Sequence, residues 1–400
     1  MTNLFDSTNA ISRRQLIKLS SASMAGLIVF PSLSACSSTD INHDQLIIGG
    51  YSHTDKAGKR LKKYGVLALQ AKNLTQHDED NYSVISDFSV PDEVHLAVMS
   101  PNNKSIIVNS RKPSASLLKY SLSGELIAEF KPLKDQHFEG HAIFSLDEKH
   151  LYVTASDFQQ GSGKLLKLNS HDLSLIEMYD TGGIGPHELV WQAPNIIAIA
   201  NTGVLTHPNS GRDILNLDSI QSNVVLFNTL DKTIIHQWSV PLAGLSARHL
   251  DRMDNGDLVI GCQYKKEDQR PPCVAFATKG EALRFADRQN EALHWDMKGY
   301  TASIKSIPNS DQALISNPRG HLLTQWQNSP LNSNNDRSTQ ILNKQKIQFS
   351  KGIKLNRTGE QAWVSQGAGE LLLLNTKNSK LSADNRIKVK EGIWWANHLG

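Results

Sequence analysis

The chain has 400 residues with 42 basic and 39 acidic side chains, a formal net charge of +3, 39% apolar residues and 20% charged residues. This composition suits a globular fold with a large core and argues against a nucleic-acid partner, which would require a basic face or stripe. Beyond residue 35 no stretch is long and apolar enough to span a bilayer.

The N-terminus reads as an export signal. Ser12-Arg13-Arg14-Gln15-Leu16-Ile17-Lys18 precedes an apolar, small-residue run from Leu19 to Leu33. The paired arginines resemble a twin-arginine signal, and Leu33-Ser34-Ala35-Cys36 resembles a bacterial lipobox. On that reading residues 1–35 are removed, Cys36 is lipidated, and residues 36–44 form a linker to the fold. The membrane is then met only through a lipid anchor, and the serines after Cys36 favour the periplasmic side of the outer membrane. Losing Arg13, Arg14, Lys18 and Asp6 leaves 39 basic and 38 acidic groups.

From residue 45 onward, short apolar runs such as Leu46-Ile47-Ile48, Ile106-Ile107-Val108 and Leu371 to Leu374 alternate with Asn, Asp, Gly, Ser and Pro turns, which predicts strands throughout. His95, His141 and His187 fall 46 residues apart, twice over, which is propeller-blade spacing of the WD40/YVTN-like kind. After each comes an apolar segment, a polar turn and a second apolar segment. His95 leads through Pro101-Asn102-Asn103-Lys104 to Ile106-Ile107-Val108, and His141 leads through Asp147-Glu148-Lys149 to Leu151-Tyr152-Val153. The unit recurs from His249, Ser303 and Gly352, and a last one begins at Asn397-His398-Leu399, where the sequence stops. Stepping 46 residues back from His95 reaches Gly49, so the N-terminal strands can complete the final blade. The expectation is an all-β, seven-bladed propeller over residues 45–400, closed by pairing of N- and C-terminal strands so that no edge is left open.

First strands of propeller blades line the central channel. His95, His141, His187, His249 and His398 therefore all belong to one channel mouth. Two readings stand: a ligand-binding ring, or a duplicated structural histidine whose ring bonds a neighbouring carbonyl. Arg111 and Arg319 each lie sixteen residues beyond their blade's index position, and this points to an anionic or carboxylate-bearing ligand. Glu188 adjoins His187, and the extra loop from Asn201 to Asp218, with His207 and Arg212, would cover the mouth. Cys262 and Cys273, with ten residues between them, read either as a disulfide in an oxidising compartment or as two independent small hydrophobes.

Glu139-Gly140-His141, Gly183-Ile184-Gly185-Pro186-His187-Glu188, Thr206-His207-Pro208-Asn209-Ser210-Gly211-Arg212, Leu245-Ser246-Ala247-Arg248-His249-Leu250, Asn317-Pro318-Arg319-Gly320 and Trp395-Ala396-Asn397-His398 together resemble an exported propeller family catalogued as domain of unknown function 1513. The resemblance runs from about residue 44 to the end. It departs from the family pattern at Ala142, Ala247, His321 and Ala396; the last stands where aspartate is usual, and this withdraws a group that would orient His398. The resemblance implies a link to metal acquisition or redox processes in the envelope.

Three functions follow as expectations. The first is capture of a transition metal, iron or copper rather than calcium, or of a metal chelate, by neutral imidazoles, weakening below about pH 6 as free imidazoles protonate. The second is a metal-dependent lactonase-like hydrolase or oxidoreductase with Glu188 or Asp213 as general base. The third is a scaffold presenting one rim to an envelope protein partner.

Overall fold

In the computed structural model the described residues are 41–42, 45–71, 82–329, 339–376 and 382–400. Cys36 and the signal segment lie outside them. The strand and turn pattern folds into seven four-stranded antiparallel sheets, six of them meanders of sequence neighbours. Blades 1 to 6 comprise residues 94–130, 136–180, 186–239, 245–285, 304–346 and 353–388. Blade 7 joins the C-terminal strand Ile393–Leu399 to Leu46–Thr54, Arg60–Ala71 and Tyr82–Val90. Gly49 pairs with Leu399 and Tyr51 with Trp395, so the seam falls where the 46-residue period puts it.

The polar turns after the first strands share one geometry. Ser100 N–H bonds Ser105 O at 2.8 Å, Ser145 N–H bonds His150 O at 2.8 Å, and Met253 N–H bonds Asp257 O at 2.9 Å. Each turn contains one residue in the left-handed region, Asn103, Glu148 and Gly256 respectively, which is why Asn and Gly recur there.

Because each strand has one face toward each neighbouring blade, the core lies between sheets rather than inside any one of them. At the seam Trp395 is buried with Trp363 and Leu373 of blade 6 and with Tyr51 and Leu67 of blade 7. Removing a buried aromatic of this size costs about 3–5 kcal/mol. A larger cluster spans blades 3, 4 and 5 and takes in Leu293 and Met297 of the helix Glu291–Met297, which connects blades 4 and 5. That helix starts at Asn290, whose side chain accepts from Leu293 N–H at 3.2 Å, and stops at Lys298 in a left-handed conformation. Among the described residues no helix is long and apolar enough to cross a membrane.

Candidate metal centre

In a regular strand alternate side chains face opposite ways, so a single inner strand cannot both fill the inter-blade core and aim a ring along the axis without an irregularity. Each histidine-bearing inner strand has one. Pairing skips across His95 between Val94 and Leu96, across His141 between Phe138 and Ala142, and across His187 between Pro186 and Leu189. It skips again between Ala247 and His249, and opposite the residues between Trp395 and Leu399. The carbonyls freed by these bulges are caught by the preceding blade: Asn109 Nδ2 donates to His141 O at 3.4 Å and Thr154 Oγ1 to His187 O at 3.0 Å. Gly140, at φ +105°, is required beside His95, because a Cβ there would lie 2.4 Å from the His95 ring.

The five rings converge. Their centroids are 4.6 Å apart for His141 and His187, 4.7 Å for His141 and His398, 4.7 Å for His95 and His398, 5.0 Å for His249 and His398, and 5.1 Å for His187 and His249. All five are buried. The candidate ligand nitrogens of His95, His141 and His187 lie within 4.8 Å of one another, as do those of His141, His249 and His398, so His141 is shared. His95 Nε2 and His141 Nε2 are 3.0 Å apart, somewhat closer than the roughly 3.4 Å between two nitrogens on a tetrahedral metal with bonds of about 2.1 Å.

The hydrogen-bonding pattern leaves ring nitrogens able to ligate. Among the described residues none of the five imidazoles bonds a backbone carbonyl. His187 Nδ1 and His398 Nε2 are buried with no partner, and Ala396, two residues before His398, has no polar side chain to offer one. His249 Nδ1 lies 3.0 Å from Glu188 Oε2, which fixes Nδ1–H as donor and leaves Nε2 as a free lone pair. Burial, then the mutual repulsion of the rings, holds His95, His141 and His187 well below the ordinary 6.5. Burial chiefly brings His249 and His398 down to about 3. The rings are therefore neutral well below pH 6, and the expected acid loss of any metal binding moves to lower pH.

Above the rings is a cavity of about 450 Å3 lined by His95, His187 and His249 together with cationic side chains. Arg111 and Arg212 both reach it, but both are tied to Glu93 at 2.7 Å. The Arg212 contact straps the long loop from blade 3 across the mouth to the start of blade 1. Arg319 lines the cavity with its guanidinium 4.6 Å over the Tyr300 ring. Glu188 supports His249 and also accepts from Leu250 N–H at 3.2 Å. His207 is not a lining residue: its Nδ1 accepts from Asn209 N–H at 3.1 Å to cap the turn Pro208–Ser210, and its ring packs on Phe158. Asp213 is exposed on the strap.

Cys262 and Cys273 are free, buried thiols, so the disulfide reading is corrected. They are linked through the main chain, Cys262 N–H to Cys273 O at 2.7 Å, while Cys273 Sγ donates to Pro271 O at 3.4 Å.

Sequence reasoning missed Arg248, Lys112, Lys265 and Tyr300 at this mouth. Lys265 stands sixteen residues after His249, the same offset as Arg111 and Arg319, and that signal was readable. Arg248 was hidden because neighbours on a regular strand face opposite ways, and only the bulge lets it join His249.

No curated protein matches this sequence. Among solved structures the fold is similar to Kuenenia stuttgartiensis hydrazine synthase, at 12% identity over 79% of this chain and 93% of that chain, with a TM-score of 0.57. It is similar to the periplasmic gluconolactonase of Pseudomonas aeruginosa, at 12% identity over 88% and 99%, TM-score 0.57. The C-terminal WD40 domain of Sif2 matches at 10% identity over 90% and 92%, TM-score 0.50. At these identities the likenesses establish the propeller fold alone. The family profile described as Protein of unknown function (DUF1513) matches residues 88–400, which includes all five channel histidines, and the chain belongs to that family.

Proposed function

We propose that this protein is a cell-envelope binding protein that holds a transition metal, iron or copper, or its chelate, on the channel histidines. The observation that carries the reading is the convergence of five buried imidazoles with unpartnered nitrogens among them. Neutral nitrogen donors without a carboxylate cluster suit copper, iron or zinc and do not suit calcium or magnesium. Glu188 supplies the carboxylate that orients a ligating imidazole in many metal sites. An exported, lipid-anchored location agrees with the N-terminal motif and with acquisition or redox work outside the cytoplasm.

The test is calorimetric titration of the purified full chain with Cu(II) and Fe(II) at pH 7, with elemental analysis of protein taken from its native compartment. One metal per chain is expected, with affinity falling by ~100-fold or more in His141→Ala, since loss of merely an outer partner costs 10–100-fold. Unchanged affinity in His141→Ala/His187→Ala would remove the site.

A further inference from the structure

The rim above the histidines carries more positive charge than its acidic partners neutralise. Arg111 and Arg212 share Glu93, and Lys112 is paired with the fully buried Glu139 at 2.6 Å. Arg248, Lys265 and Arg319 have no carboxylate within ion-pair distance among the described residues, and the acidic residue lining the cavity, Glu267, is exposed at its edge. Arg248 is 8% exposed, and its Nε is buried with no hydrogen-bond partner. Leaving such a guanidinium unsatisfied is costly, so its placement beside a cavity points to a ligand that completes it.

The three cations are held in position. Arg248 is the extra residue of the blade 4 bulge. Lys265 Nζ donates to Gln263 Oε1 at 2.6 Å and lies 5.9 Å from the Tyr300 ring centroid. Arg319 stacks on that same Tyr300, whose backbone is fixed by Asn317 Nδ2 donating to its carbonyl at 2.8 Å. Blades 4 and 5 thus supply a preformed, half-open set of donors on one side of the mouth. Electrostatics gives this set a reason: a bare dication entering past the two uncompensated guanidiniums is repelled, whereas the same metal carrying an anion is not.

We propose that Arg248, Lys265 and Arg319 form an oxyanion cradle for a small di- or tricarboxylate, seated over the histidine cluster so that metal and anion share the cavity. Two guanidiniums give paired N–H donors to separate carboxylates, and the ammonium serves a third oxygen. The space of about 450 Å3 admits an anion of citrate size. The cradle itself needs no metal; the sharing of one cavity rests on the metal-binding reading above.

The experiment is calorimetry on the full chain, stripped of metal, at low ionic strength in a buffer free of carboxylate and phosphate, with citrate as probe and acetate as single-carboxylate control. Saturable one-to-one citrate binding is expected, at least tenfold tighter than acetate. It should weaken at least tenfold in each of Arg248→Met, Lys265→Met and Arg319→Gln; the last two lie at the rim, so a folding defect in the first leaves the test intact. No citrate binding to the metal-free protein, or binding unchanged within twofold in all three variants, overturns the cradle. Citrate binding that appears only after metal is added also overturns it, because the anion is then held by the metal alone. Citrate retained by a protein that takes up no metal leaves the cradle standing and removes the metal site.

Discussion

Blades 5 and 6 differ from the other five where they meet the channel. Their inner strands, Ile304–Ser306 and Ile353–Leu355, carry no histidine, although a two-against-one bulge stands just before each: Ala302 N–H and Ser303 O both pair with Ser316, and Lys351 N–H and Gly352 O both pair with Ser365. At the equivalent positions serines close the backbone: Ser303 N–H bonds Ser316 Oγ at 3.0 Å and Gly352 N–H bonds Ser365 Oγ at 3.0 Å. The bulge is thus common to all seven blades, whereas the imidazole stands in five. The difference teaches that the bulge belongs to the repeat and aims whatever side chain stands at it, while the imidazole marks only five of the blades.

The comparison can be broken most forcefully with acid. The folded-state values of His249 and His398 lie at about 3, below their ordinary 6.5, so between these limits the unfolded chain binds more protons than the folded one. Stability contributed by their neutral state is complete above pH 6.5 and is lost as pH falls toward 3, by on the order of several kcal/mol. The urea midpoint of the metal-free protein should drop over that range, and a His249→Gln/His398→Asn variant should flatten the dependence; equal slopes would place the rings in contact with solvent.

Next in size is the contrast in metal affinity between blades. His141→Ala should lower it ~100-fold or more, while Ser303→Ala, at the matching place in blade 5, should leave it within twofold by titration. An equal loss in both would dissolve the distinction. Gly140→Ala sharpens it through the backbone alone, since the added methyl meets His95 while φ stays positive. About 1–3 kcal/mol of destabilisation by denaturant melt is expected, together with weaker metal binding. The smallest change is Glu188→Gln, which keeps an acceptor for His249 Nδ1–H but removes its charge. Affinity should fall about tenfold with the melting curve unmoved.

Much of this arrangement was legible in the sequence. The 46-residue phase gave the blade count, the seam and the five histidines, because the position of a side chain around the axis is a property of the repeat. Bulges left no such trace: one extra residue in an inner strand does not disturb an apolar pattern read in runs of three or four. For that reason Arg248 was not singled out beside His249, while His207, which sits in a loop with its own local turn, was taken for part of the mouth. The thiols stayed open between a bridge and two separate hydrophobes, since proximity along a hairpin does not fix the direction of Sγ.

The seam strand Ile393–Leu399 carries both Trp395, which anchors it in the core, and His398, which belongs to the ring of imidazoles. Anything that releases this strand therefore dismantles the site, and by the same linkage an occupied site fastens the strand. At a metal concentration ~100 times the dissociation constant that fastening is worth about 2.7 kcal/mol against opening. The cargo would act as a latch on the circle, and resistance to proteolysis at the carboxyl end would report whether it is loaded.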